Sequence, residues 1–162
     1  MSGTGSGGGP GDAAGSLTAA VAGALAAEES GPGVVGVGID LVELDRFRAV
    51  LGRRPGLAAR LFSEDERAYA GAAADPVPRL ATRFAAKEAT MKALGVGLGA
   101  FAFHDVAVAR DGLAAPVLSV GGRAAELAAA AGVGRWHLSL THTDRVAGAV
   151  VVAVALPPAV WV

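Results

Sequence analysis

The sequence contains no cysteine, and only two of its 162 residues are lysine. The lack of cysteine excludes disulfides, a thiol nucleophile and a zinc–thiolate site. Charged residues make up 18% of the chain and the net charge is −1, so no basic surplus indicates a nucleic-acid partner. The apolar run over residues 146–154 is far shorter than the ~20 residues that a membrane-spanning helix needs. We therefore expect a soluble, cytoplasmic protein that binds neither nucleic acid nor membrane.

Glycine and charge divide the chain into three parts. Residues 1–33 hold three acidic residues, no basic residue and much of the glycine, which predicts a disordered acidic Gly/Ala-rich extension. Residues 34–156 carry the apolar patterns and form the predicted folded domain, and residues 157–162 are a short tail. The length suits one domain, because two well-formed cores need a longer chain.

The element order predicts an α+β fold with a mostly antiparallel sheet packed against helices. The apolar run 34–39 predicts a buried strand that ends at Asp40. A capping box from Ser63 to Glu66 predicts the start of a short helix. The other predicted helices span residues 42–51, 79–94 and 122–131. The other predicted strands span residues 103–110 and 116–120, which meet at a turn at Asp111-Gly112, and residues 135–141 and 146–155.

The predicted helix 79–94 carries charges close to its apolar stripe. At 100° per residue, Lys87 projects into the middle of that stripe, and Glu88 lies at its edge beside Lys92. Such charges are costly unless they are paired or bound to an ion. One explanation is an i, i+4 ion pair between Glu88 and Lys92, with Lys87 reaching to solvent. The other is that this helix binds an anionic ligand and a metal ion.

The rarity of lysine favours the second explanation. Arginine supplies 12 of the 14 basic residues, yet both lysines lie on this one helix and flank a carboxylate. Lysine is a compact, mobile charge suited to phosphate oxygens and to proton transfer. Asp40 is the natural partner of Glu88, since two carboxylates could hold Mg²⁺ together with substrate phosphates. The alternative is that Asp40 caps the helix that begins near Val42.

Three motifs resemble the holo-acyl-carrier-protein synthases, the small 4′-phosphopantetheinyl transferases. Residues 38–44 read GIDLVEL, residues 83–95 read RFAAKEATMKALG, and residues 137–143 read HLSLTHT. The family signature is G-(I/V)-D followed by F-(A/S)-x-K-E-(A/S)-x-x-K-A, with a closing S-x-(S/T)-H-T segment. The resemblance covers residues 34–155 in the family's element order. It therefore implies the 4′-phosphopantetheinyl transferase-like fold.

The resemblance also implies an activity and its residues. The family transfers the phosphopantetheine arm of coenzyme A to a serine of an acyl carrier protein and releases 3′,5′-ADP, in support of fatty acid or polyketide synthesis. On that pattern Asp40 and Glu88 hold Mg²⁺, with Mn²⁺ as an alternative. Glu88 and Lys92 are catalytic, and Lys92 neutralises or protonates the leaving pyrophosphate oxygen. Either Glu88 or a metal-bound water deprotonates the serine, and the sequence does not choose between them.

The implied contacts with coenzyme A and with partners extend over the chain. The residues expected to contact coenzyme A are Lys87, Lys92, Arg83, Gly95, His142 and Thr143. An acidic carrier protein is expected to dock on the helix after Asp40, where Arg46, Arg53 and Arg54 are the best candidates for contact. A solvated helix face is the alternative for those arginines. Family members typically form homotrimers with the active site at the subunit interface.

Two features depart from the family pattern. Members are often shorter at the N-terminus, so the extension has no assigned role. The usual Gly-Lys-Pro before the third strand is replaced by Ala114-Ala115-Pro116. Three other functions are alternatives: a transferase dedicated to the carrier domains of a large synthase, a non-catalytic carrier-protein-binding module, and a metal-dependent pyrophosphohydrolase. A pyrophosphohydrolase would need more carboxylates around its metal than Asp40 and Glu88.

Overall fold

The structure, a computed structural model, describes residues 33–110 and 114–156. The predicted extension up to residue 32, the predicted tail 157–162 and the predicted turn at Asp111-Gly112 lie outside the described residues. The chain from Val34 to Leu156 forms one compact unit.

The described helices and strands follow the predicted order. The strands are β1 (Val34–Glu43), β2 (Val106–Ala109), β3 (Val117–Val120), β4 (Val133–His142) and β5 (Val146–Ala155). The helices are α1 (Leu44–Arg53), α2 (Leu57–Leu61), α3 (Glu64–Gly71), α4 (Val77–Ala93) and α5 (Gly122–Ala130). A single 3₁₀ turn, Phe103–Asp105, precedes β2.

The sheets are antiparallel, which confirms the predicted α+β class. β5 lies between β1 and β4, and Val37 faces Val152 on β5, which in turn faces His137 on β4. β2 and β3 form a separate two-stranded pair. The central place of β5 explains why that strand is apolar at nearly every position, because neither of its edges is free and α4 packs on one face.

Helix α4 packs against β1 at two glycines. A Cβ atom at Gly36 would lie 2.0 Å from the carbonyl oxygen of Ala93, and one at Gly38 would lie 1.8 Å from that of Ala89. Only a hydrogen atom fits in those places, so the helix backbone approaches the strand backbone directly. This close contact brings the next residue on the same face of β1, Asp40, to the surface of α4.

The structure corrects three predicted elements and adds a helix. β1 continues past Asp40 to Glu43, so Asp40 lies inside the strand and not beyond its end. Helix α1 correspondingly begins at Leu44. Residues 103–105 form a 3₁₀ turn where a strand was predicted. The short helix α2 was not predicted, because its 5 residues are too few to show a helical period. The predicted capping box at Ser63 is confirmed by both of its hydrogen bonds.

Helix α4 is the centre of the fold and is buried on nearly every side. Twelve of its 17 residues are buried, and they include alanines that lie outside the predicted apolar stripe. The exposed and half-buried positions beyond its first turn are Phe84, Glu88 and Lys92, which follow one another at intervals of 4 residues. They form a single open stripe along the helix. In the part of the chain that the structure describes, no helix is long and apolar enough to cross a membrane.

Candidate active site

Asp40 reaches the open stripe of α4 because of strand alternation. Gly36, Gly38 and Asp40 point to the α4 side of β1, whereas Val37 and Ile39 point away from it and are more than half exposed. The Asp40 side chain is 16% exposed. The glycines bring the helix close, and the carboxylate at the third position then lies beside Glu88 and Lys92.

Lys92 pairs with Asp40 and not with Glu88. Its Nζ donates to Asp40 Oδ1 and to the carbonyl oxygen of Ile39, both at 2.9 Å. The i, i+4 ion pair between Glu88 and Lys92, the first of the two explanations, does not form. The alternative role of Asp40 as a helix cap is also wrong, because Glu43 occupies the N-cap of α1 and no side chain caps that helix end.

Glu88 lies in an environment that disfavours its charge. Burial raises the pKa of Glu88 above its ordinary value, the nearby Asp40 carboxylate raises it further, and Lys92 opposes both effects. Two carboxylates from distant segments are thus close enough for one to disfavour the charge of the other. A cation between them would relieve that repulsion, so the donor set suits a hard divalent ion. Within residues 33–110 and 114–156 no group of three or more potential ligands occurs, so the protein itself offers two.

A cavity of about 650 Å³ opens beside the two carboxylates. Four charged side chains contribute to its lining: Asp40, Glu43, Arg46 and Glu88. The rest of the lining is apolar, and the stacked rings of Phe84 and Phe103, with centroids 5.6 Å apart, form part of it. The cavity therefore combines charged groups with a largely apolar wall.

The structure buries Lys87, which the resemblance implied would contact coenzyme A. The Lys87 side chain is 0% exposed and its Nζ lies 2.9 Å from Oε2 of Glu66. It also donates to the carbonyl oxygens of Phe103 and Val106. Burial lowers the pKa of Lys87, and the Glu66 carboxylate opposes that shift. With an acceptor for each of its three N–H bonds, the ammonium has none left for a ligand.

Arg83 and His142 line a second cavity, of about 440 Å³, on another side of α4. The Arg83 guanidinium carbon lies 4.3 Å from the centre of the Tyr69 ring, and its Nη1 donates to the carbonyl oxygen of Arg79. Its buried Nε has no hydrogen-bond partner among the described residues. Burial lowers the pKa of Arg83. Arg110 adds a further positive charge, so this cavity suits an anion.

Gly95 and Thr143 have local structural roles. Gly95, with φ +67°, ends α4. Its N–H donates to the carbonyl oxygen of Lys92, and the N–H of Val96 donates to the carbonyl oxygen of Met91, as in a Schellman motif. The Thr143 hydroxyl accepts from the backbone of Val146 and so shapes the turn between β4 and β5. Neither residue lines either cavity.

The arginines of α1 differ in their surroundings. Arg46, Arg53 and Arg54 are exposed, and none takes part in a salt bridge between described residues. Arg48, on the same helix, makes a two-pronged contact with the Asp75 carboxylate at 3.0 and 2.7 Å. The pairing of Arg48 leaves the other three as the available positive charges of this surface.

Sequence reasoning missed the other walls of the second cavity. Tyr69, Arg79 and Arg110 come from α3, α4 and the end of β2. No local period or motif joins such distant residues. Three arginines and the single tyrosine of the chain meet at this place, and the sequence shows only that tyrosine is rare.

Comparisons with known proteins agree with this geometry. A family model described as the 4′-phosphopantetheinyl transferase superfamily matches residues 36–154. A holo-[acyl-carrier-protein] synthase of Frankia casuarinae is 49% identical over 120 residues, which is 74% of this chain and 97% of that protein. The protein of the same name from Streptomyces avermitilis is also 49% identical, with the same coverage.

Solved structures give the same result. The holo-[acyl-carrier-protein] synthase of Neisseria meningitidis superposes with a TM-score of 0.68 at 32% identity and covers 75% of this chain and 98% of that one. The Bacillus anthracis synthase in complex with CoA (3′,5′-ADP) gives 0.63 at 32% identity, over 76% of this chain and 98% of that one. The chain belongs to the 4′-phosphopantetheinyl transferase superfamily, among the holo-[acyl-carrier-protein] synthases.

Proposed function

We propose that this chain transfers the 4′-phosphopantetheine group of coenzyme A to a serine of an acyl carrier protein. The serine Oγ forms a bond to the phosphorus that carries pantetheine, the bond from that phosphorus to the bridging oxygen breaks, and 3′,5′-ADP leaves. The meeting of Asp40 and Glu88, from β1 and α4, in the lining of one cavity carries this proposal. The family and the relatives' names support it.

Asp40 and Glu88 are the residues that would hold Mg²⁺, or Mn²⁺ in its place. Their shared position and the raised pKa of Glu88 fit a divalent cation. When bound, such an ion supplies charge neutralisation to the pyrophosphate of coenzyme A.

The chain's own residues then position the reacting groups and neutralise their charge. Lys92 Nζ lies at Asp40, and we assign it the donation of a proton or a hydrogen bond to the leaving pyrophosphate oxygen. Glu88, a carboxylate in the lining of this cavity, is one candidate to accept the serine proton. With substrate bound, the rings of Phe84 and Phe103 in the cavity wall would limit the access of water to the reacting groups.

The second cavity is the proposed place of the nucleotide phosphate. Arg83 and His142 line it, and both were expected to contact coenzyme A. Within one chain this cavity and the carboxylate cavity share no lining residue, and each uses a different part of α4. A subunit contact that joins one chain's carboxylates to a neighbour's arginine cavity would complete the site. Gly95 and Thr143 would act there only through the turns that they shape.

A homotrimer is the proposed assembly. The face of the sheet that points away from α4 carries Val37, Ile39 and Leu41 from β1, each more than half exposed. Half-buried valines of β5 continue this apolar face. A contiguous apolar face of this kind is typical of an interaction surface.

The test measures the intact mass of an apo acyl carrier protein after incubation with this protein, coenzyme A and Mg²⁺. Wild type should add one phosphopantetheine per carrier, and Glu88→Gln should add little, because it removes one of the two carboxylate charges. Arg123→Ala, whose partner Glu126 lies on the exposed face of α5, is the matched control and should keep full activity. Carrier binding without any mass gain would instead support a non-catalytic binding module. Gain only with carrier domains of a large synthase would identify a dedicated partner.

A further inference from the structure

One ion pair among the described residues is fully buried, and the proposed reaction does not use it. Lys87 and Glu66 are 0% and 1% exposed, and their charged atoms lie 2.9 Å apart. Two buried charges are tolerated only when the remaining hydrogen-bonding capacity of both is satisfied. The contacts of this pair therefore show what it holds in place.

Beyond their contact with each other, Glu66 and Lys87 form their hydrogen bonds with backbone groups. Glu66 Oε1 accepts from the N–H of Val108 at 3.0 Å, and its Oε2 accepts from the N–H of Ser63 at 3.0 Å. Lys87 donates to the carbonyl oxygens of Phe103 and Val106. The pair thus ties the start of α3, the middle of α4, the 3₁₀ turn and β2 together at one point.

The segments tied at that point carry lining residues of both cavities. Phe103, whose carbonyl oxygen binds Lys87, lines the carboxylate cavity with its ring. Helix α3 carries Tyr69, and β2 leads to Arg110, and both of these line the arginine cavity. Glu88 follows Lys87 directly, 100° further around α4. Because a helix is stiff, anchoring Lys87 at three acceptors also sets the direction of Glu88.

We propose that Lys87 and Glu66 are positioning residues, which hold Glu88 against Asp40 and fix the wall of the carboxylate cavity, and that Lys87 makes no contact with phosphate. Neither side chain lines a cavity. The activity part of the test rests on the proposed function, whereas the spectroscopic part does not.

The spectroscopic test uses the scarcity of lysine. Lysine labelled with ¹⁵N at Nζ gives two signals in this protein, and Lys92→Met leaves the one from Lys87. Because the Lys87 ammonium is buried on fixed acceptors, its protons should exchange slowly with water and its signal should persist at neutral pH. Addition of coenzyme A should leave it in place. A Lys87 signal lost to fast exchange, or displaced by coenzyme A as far as that of Lys92, overturns the proposal.

The kinetic test compares Glu66→Gln, Lys87→Met and the double variant, each assayed below its own unfolding temperature. In both single variants kcat should fall by about 100-fold while KM for coenzyme A changes less than about threefold, because misplacement of a reacting group lowers the rate and not the binding. The kcat of the double variant should be no lower than that of the worse single variant, since both changes act through one pair.

Two kinetic results contradict the proposal. A tenfold rise of KM for coenzyme A at unchanged kcat in Lys87→Met indicates a direct contact with phosphate. Lower stability with wild-type kcat in the folded variants indicates a purely structural pair. If Lys87→Met does not fold, the kinetics of Glu66→Gln and the spectrum of the wild-type protein test the proposal. If wild type itself transfers nothing, the proposed function fails, and the spectrum still tests the position of Lys87.

Discussion

At the scale of single residues, the electrostatics of Glu88 have a consequence for stability. Its folded pKa lies above the ordinary 4.5 because of burial and of Asp40. The folded chain therefore binds this proton more tightly than the unfolded chain does. The resulting stabilisation is present at low pH and is lost as the pH rises from the ordinary pKa through the raised one.

This argument predicts the effect of Glu88→Gln on the metal-free protein. Urea unfolding in the presence of a chelator should show wild type losing free energy of unfolding over that pH range, because the carboxylate becomes charged in a partly buried place beside Asp40. The variant, which has no charge at this position, should lose less free energy of unfolding. Equal pH dependence of the two proteins would contradict a raised pKa at Glu88.

The sequence allowed Asp40, Glu88 and Lys92 to be predicted together, but not Lys87. The first three lie in short motifs, and the alternation of β1 and the period of α4 bring them to one place. The partner of Lys87 is Glu66, a residue that the sequence assigns to a capping box. Glu66 performs both tasks with different lone pairs of one carboxylate. Only the packing of α3 on α4 reveals the second task.

At the scale of elements, the contact between α4 and β1 sets the position of the site. Gly38→Ala should lower the free energy of unfolding by about 3 kcal/mol or more, because its Cβ would lie 1.8 Å from the backbone oxygen of Ala89 and the helix must move. Activity should fall as well, since this movement separates Glu88 from Asp40. Urea unfolding and the mass assay measure the two effects.

Gly52→Ala is the matched control for this substitution. Gly52 lies in α1, and a Cβ atom added there would have no neighbouring atom within 4 Å, so alanine should be neutral or stabilise the protein by about 0.5 kcal/mol. Similar losses for the two variants would mean that the close approach of α4 to β1 is not what Gly38 provides.

Helix α1 is the element where charge should govern carrier docking. Arg46→Ala should raise KM for an acidic carrier several-fold and weaken the dependence of the rate on salt, because an exposed charge mainly steers association. Arg48→Ala should have a smaller effect, since Asp75 already neutralises Arg48. Assays of transfer at two ionic strengths measure both. Equal effects of the two variants would show that Arg46 has no special part in docking.

At the scale of the whole molecule, the apolar sheet face and the two separate cavities point to the same assembly. Val37→Lys puts a charge on that face at a side chain that is 59% exposed. If three copies bury it, light scattering should show wild type near three times the 15.9 kDa chain mass and the variant at lower mass. Val117→Lys, at a 61% exposed position of β3, is the control and should not change the mass.

A shared site also predicts complementation between two inactive proteins. Glu88→Gln damages the carboxylate cavity, and His142→Ala damages the arginine cavity. When the two are unfolded together and refolded as mixed oligomers, some interfaces combine an intact carboxylate cavity from one subunit with an intact arginine cavity from its neighbour. Random mixing of equal amounts should restore about a quarter of the wild-type transfer activity, because each half is intact with even odds.

The same variants refolded separately and then combined are the control, and they should remain inactive while subunits do not exchange. A second control mixes Glu88→Gln with Lys92→Met, which damages the same carboxylate site from its other side. That pair should restore no activity, since both lesions fall on one subunit's half of the site. Absence of recovery in the first mixture, with oligomers formed, would mean that each chain binds coenzyme A alone.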